Sequence, residues 1–165
     1  MAGMPESCSS RDGLVAGHLG PVICGQYCKK VNHHWGEGNV RILIADDDPR
    51  LLHIVTLFLQ MEGFDVRTAE DGDAALRLLD ERDFDVAILD VMMPGADGIA
   101  VCNHIRADPK LRAMPVLLFT ALSAESDAER ARLAGATHMI TKPFSLPGLC
   151  AVVRSCIEQP SALAS

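Results

Sequence analysis

The chain lacks four things: the length for two ordinary domains, any apolar run able to cross a bilayer, a dense set of cysteines, and an excess of positive charge. Each absence closes off a class of protein. At 165 residues, one domain with a sizeable core is the expectation. No stretch approaches the ~18 to 20 consecutive apolar residues that a membrane-spanning helix needs. No basic segment leads into a compact apolar run and a small-residue cleavage site, so no signal peptide is expected either. The six cysteines, Cys8, Cys24, Cys28, Cys102, Cys150 and Cys156, are too scattered for a disulfide framework, and reduced thiols in a cytoplasmic protein fit better. Residues 1–39 hold three basic and three acidic side chains, which leaves 12 basic and 19 acidic for the remainder and accounts for the net charge of −7. That balance disfavours sequence-independent nucleic-acid binding, which sets Lys and Arg against phosphate. Cations and basic partners suit it better.

What is present begins at Val40. Residues 1–39 are rich in Gly, Ser and His, show no sustained period, and are expected to form a mostly disordered extension. Cys24, Cys28, His33 and His34 within it carry zinc-binding groups, but their spacing is not that of a finger. From residue 40 to 159 the pattern is regular, and a short tail follows at 160–165. Arg41 to Ala45 is a short apolar run that does not alternate, which predicts a strand buried on both faces. Asp48 and Pro49 open a helix with Leu51, Leu52, Val55, Phe58 and Leu59 on one side, closed by Gly63. Strands are expected at 64–68, 84–89, 115–119 and 138–141, the last short, half polar and so an edge. Helices are expected at 71–79, 99–106, 123–133 and from Ser145 to about Glu158. Strict alternation of five strands and five helices predicts a doubly wound α/β fold with a parallel sheet.

In such a fold ligands bind beyond the carboxyl ends of the strands. Those ends carry Asp46 and Asp47, Asp90, Thr120 and Lys142. Three carboxylates in one crevice repel each other unless a cation shares the site, and a hard ion that keeps several waters, Mg²⁺, suits few carboxylates better than Ca²⁺. A carboxylate beside Mg²⁺ can attack phosphorus and become an aspartyl phosphate. The metal, Lys142 and the Thr120 hydroxyl would then divide the phosphoryl oxygens among them.

Four blocks, ILIADDDP at Ile42 to Pro49, ILDVMMPGADG at Ile88 to Gly98, LLFTA at Leu117 to Ala121 and AGATHMITKPF at Ala134 to Phe144, resemble the receiver domain of two-component response regulators. The resemblance covers about Val40 to Gln159 and implies a flavodoxin-like sheet in the order 2-1-3-4-5. It implies that Asp90 accepts the phosphoryl group, that Asp46, Asp47, Asp90 and the Met92 carbonyl hold Mg²⁺, and that Lys142 pairs with the phosphate through a loop with a cis bond to Pro143. Thr120 would be the switch hydroxyl. The family's usual aromatic switch partner is replaced by Met139, which lacks a ring edge or hydroxyl to report the switch. Met92 and Leu122, two residues after Asp90 and Thr120, offer nothing to orient an attacking water, so slow self-dephosphorylation is expected.

The expected role is that of a single-domain phospho-acceptor rather than an enzyme. A histidine kinase or histidine phosphotransfer protein would be its donor and a separate protein its target, with no nucleic acid or membrane partner, as a monomer or weak dimer. No DNA-binding output domain is read in the sequence. One alternative is a phosphatase with an aspartyl-phosphate intermediate, which would want a second Asp where Met92 stands. Another is a pseudo-receiver that only binds partners, which would have lost the acids or the lysine. Asp97 is read as the turn residue before Gly98. Asp65, Asp71, Asp73, Asp83 and Asp85 are read as solvated, and His53, His104 and His138 as surface or packing residues.

Overall fold

The computed structural model describes residues 39–121 and 125–158, the backbone alone at 125–128. The N-terminal extension with its candidate zinc ligands, the C-terminal tail, and Leu122 and Ser123 lie outside the described residues. Five strands and five helices alternate: β1 (Arg41–Ala45), α1 (Pro49–Met61), β2 (Asp65–Ala69), α2 (Gly72–Glu81), β3 (Val86–Asp90), α3 (Gly98–Ala107), β4 (Val116–Ala121), α4 (Glu125–Leu133), β5 (His138–Lys142) and α5 (Leu146–Glu158). All neighbours pair in parallel, in the order β2-β1-β3-β4-β5. The expected topology holds, and β5 is an edge. No helix among the described residues is long and apolar enough to cross a membrane.

Alternation along the strands explains why they read as unbroken apolar runs. Ile42 and Ile44, Val86 and Ile88, and Leu117 and Phe119 enter the core under α1 and α5. Leu43 and Ala45, Ala87 and Leu89, and Val116 and Leu118 enter the core under α2, α3 and α4. With both faces covered there is no solvent side to demand polar residues. Each such Leu, Ile or Phe contributes about 1.5–3 kcal/mol by leaving water.

Boundaries shift by one or two residues where capping, not periodicity, sets them. Asp71 and Asp97, read as solvated and as a turn residue, are the N-caps of α2 and α3 and accept the Ala74 and Ala100 amides at 2.6 Å each. Asp85, exposed as expected, also accepts the Arg41 amide through Oδ2 at 2.7 Å. β2 begins one residue later than expected, after Gly63 (φ +93°) ends the turn from α1. The left-handed conformation there suits a glycine.

The amino-terminal end of the sheet is tied by Arg106 of α3. Its guanidinium donates to the carbonyls of Arg112 (3.2 Å), Met114 (2.8 Å) and Gly135 (2.8 Å) and to Thr137 Oγ1 (3.5 Å). It thereby joins the α3–β4 connection to the α4–β5 turn. One turn earlier on α3, the Cys102 thiol donates to the Ala134 carbonyl at 3.3 Å. On the other face Arg154 of α5 reaches the Glu62 carboxylate at 3.0 Å, joining α5 to the end of α1.

Candidate functional site

The carboxyl ends of β1, β3, β4 and β5 converge. Asp46 follows directly on β1 and is fully buried, Asp90 is the last residue of β3 and is 6% exposed, and Asp47 faces solvent. One oxygen from each of the three carboxylates lies within 4.8 Å of the others. Lys142, the last residue of β5, sends its ammonium between two of them, 2.6 Å from Asp46 Oδ2 and 2.8 Å from Asp90 Oδ1. Backbone amides take further oxygens: the Asp48 N–H donates to Asp46 Oδ1 at 2.9 Å, and the Met92 N–H to Asp90 Oδ2 at 3.1 Å. Asp48 serves as expected as the N-cap of α1.

Strand parity sets the side of the sheet on which each group stands. Asp90 shares the face of Val86 and Ile88, and β3–β4 pairing sets it against Phe119. Phe119 pairs in turn with Ile140, so Lys142, two residues on, stands on that same face. Thr120 has the opposite parity. The residue is buried, and its hydroxyl donates to the Ala121 carbonyl at 3.3 Å. Met139, half-buried, packs against the core under α2 to α4. Met92 is 69% exposed at the mouth of the site, and the Lys142–Pro143 bond is cis.

The charges are not balanced. Burial pushes the Asp90 carboxyl above the usual carboxylate range, because the Lys142 ammonium and the Met92 amide only partly offset desolvation and the Asp46 charge adds to the rise. Burial also works against the Lys142 ammonium, but hydrogen bonds and charge from Asp46 and Asp90 outweigh it and hold its pKa above that of a free lysine. One cation shared by two buried carboxylates, with a third beside them, leaves negative charge uncompensated. An all-oxygen donor set of this kind fits a hard divalent cation such as Mg²⁺, with Asp46, Asp47, Asp90 and the Met92 carbonyl as the groups that would hold it.

Sequence reasoning missed three contacts. The Lys142 ammonium lies 5.5 Å from the centre of the Phe119 ring, and Phe144 stacks on the other ring at 4.5 Å and 20°. Phe119 stands in LLFTA next to Thr120, but only the β4–β5 register reveals that it faces the lysine. Asp97, while capping α3 with one oxygen, meets Arg130 of α4 with the other at 3.2 Å.

A doubly wound sheet of order 2-1-3-4-5 that gathers acids and a lysine at its carboxyl end defines a receiver, a module that accepts phosphoryl groups in signalling proteins. The chain belongs to that family: the response regulator receiver domain matches residues 42–154. The heme response regulator HssR of Staphylococcus aureus (strain Newman) is 39% identical over 120 residues, 73% of this chain and 52% of the relative. The chain therefore spans about half the length of the curated relatives it matches. Among solved structures, a putative response regulator from Chloroflexus aurantiacus J-10-fl superposes with a TM-score of 0.71 at 31% identity, covering 74% of this chain and all of that one. The receiver domain of a signal transduction histidine kinase from Syntrophus aciditrophicus gives 0.70 at 32% identity over 76% and 96% of the two chains. The chemotaxis protein CheY4 of Vibrio cholerae gives 0.68 at 29% identity over 72% and 98%.

Proposed function

We propose that the protein receives a phosphoryl group on Asp90 from a histidine kinase or histidine phosphotransfer protein in the cytoplasm, in a Mg²⁺-dependent reaction, and so alters its affinity for a protein target. The observation that carries this reading is the Lys142 ammonium bridging Asp46 and Asp90 at 2.6 and 2.8 Å beside a third carboxylate. A bound Mg²⁺ would supply positive charge for the oxygens of the transferring group. Asp90 Oδ1, the oxygen Lys142 now holds, is suited to in-line attack, and Lys142 can pass from the carboxylates to the incoming phosphoryl group without leaving the crevice. The Thr120 hydroxyl, one strand away, is the candidate to turn from the Ala121 carbonyl toward the new anion of about −1.5 to −2 charges. The chain acts as a phospho-acceptor that assists its own modification rather than as an enzyme with turnover, and as a monomer or weak dimer.

Incubation with Mg²⁺ and acetyl phosphate, followed by intact mass measurement, tests this. The expected result is a stable gain of one phosphoryl group on the wild type and none on Asp90→Ala. Donor consumption without an adduct would point instead to a phosphatase, and neither signal to a module that only binds partners. Because Met92 presents an exposed thioether where a water-orienting group would be needed, the adduct is expected to outlast the seconds scale.

A further inference from the structure

Lys142 has three N–H donors and two carboxylate partners. Its ammonium also lies 5.5 Å from the centre of the ring of Phe119, a fully buried residue of β4. An aromatic face carries negative potential and attracts an ammonium within about 6 Å of its centre, more strongly where water is partly excluded. The Lys142 side chain is only 27% exposed. Phe144 stacks on Phe119 and follows Lys142 and Pro143 directly in the chain, so the segment that carries the lysine also packs the ring that receives it. A carboxylate partner can be claimed by a cation in the crevice, whereas the ring cannot. It is the one partner of Lys142 that binding of a hard cation leaves in place.

We infer that Phe119 is a positioning residue, backed by Phe144, which holds the Lys142 ammonium aimed at Asp90 through the electrostatics of its ring face. The inference rests on the phospho-acceptor reading and adds a determinant of its rate. A leucine at 119 would fill much of the same volume without the quadrupole, leaving the long, flexible lysine side chain to its carboxylate partners alone.

The test uses the full chain with Phe119 replaced by Leu and, separately, by monofluoro- and pentafluorophenylalanine at that position alone. Fluorine withdraws electron density from the ring face and scarcely alters its shape. Two quantities are read: the rate of phosphoryl uptake from acetyl phosphate at saturating Mg²⁺, and the proton shifts of the Lys142 side chain in metal-free protein. The expected result is a graded fall in rate, reaching about fivefold at pentafluorophenylalanine, with Lys142 side-chain protons shifted upfield by the ring and released in Phe119→Leu. Equal rates across the fluorinated series, or Lys142 shifts that ignore the loss of the ring, would overturn the inference. The fluorinated variants keep the test decisive if Phe119→Leu fails to fold. If the wild type takes no phosphoryl group, it is the functional reading that fails, and the proton shifts alone then decide whether the ring holds the lysine.

Discussion

At the amino-terminal end of the sheet unlike charges alternate in the open: Arg41 reaches Asp83 at 4.0 Å and Asp85 at 3.7 Å, and Arg67 lies 3.9 Å from Asp65, with every side chain at least 43% exposed. The carboxyl end instead holds two buried carboxylates and an exposed one around a single lysine. Surface pairs of the first kind contribute little, because water solvates the separated ions nearly as well. The second arrangement is costly, because water cannot. Arg106, with its four neutral acceptors, ties the amino-terminal end, and the charge imbalance lies at the carboxyl end. At the amino-terminal end the charges find partners within the chain, whereas the carboxyl end carries more negative charge than its one lysine balances.

That contrast can be broken or sharpened by substitution. The largest effect is expected at Arg106→Ala, which strips the donors from the Met114 and Gly135 carbonyls and should cost about 3 kcal/mol in urea unfolding. Arg106→Lys should recover little, since an ammonium cannot reproduce the fork, and phosphoryl uptake per folded molecule should stay unchanged. A loss below about 1 kcal/mol would mean that water serves those carbonyls as well, and the two ends would differ less than their hydrogen bonds suggest.

Lys142→Ala comes next. Metal-free protein should lose about 2 kcal/mol, held down because one of the two carboxylates can then take up a proton. Mg²⁺ should restore much of the loss in a melting experiment. Failure of Mg²⁺ to raise the melting temperature of either protein would remove the claim that this end is short of positive charge.

A gain is expected from Asp90→Asn, about 1 kcal/mol at neutral pH without metal, because it removes one of two buried like charges. The sign follows from the raised Asp90 pKa. A group of that kind supports the fold while protonated and ceases to do so as pH rises through its folded value. The advantage of Asn should thus vanish below about pH 4, where Asp is neutral folded or unfolded, and grow toward neutrality. A melting-temperature difference that ran the other way with pH would reverse the argument. The smallest effect, about 0.5 kcal/mol or less and fading with salt, is expected for Arg41→Ala.

Much of this was legible in the residues. Strict strand–helix alternation carries the topology, and buried parallel strands announce themselves as unbroken apolar runs such as VLLF. The acids and the lysine were found because each closes a strand. Parity was harder to read. Nothing in LLFTA states which way Phe119 faces until β5 is set in register, and one residue of slip would exchange it with Thr120. Arg106 carries no signal in the sequence because three of its four partners are carbonyls, which every residue has, brought together from two loops. Asp71 reads as a solvated acid and Asp97 as a turn residue, although each stands three residues before the amide it caps, a spacing the sequence does contain.

The stretch after Asp90 has one more property. At Gly98 even a methyl group would overlap the Asp90 carbonyl, and at Gly72 of α2 it would overlap the Ala96 carbonyl. The Val91 amide is bonded to Phe119, and the Gly98 amide returns to Val91. Backbone therefore rests on backbone at both ends of the segment, as masonry rests on an abutment. Close-packed backbone thus backs Asp90 on that side, while the crevice across from it is lined by the side chains of β4 and β5. Main chain, not side chains, sets the fit behind the acid.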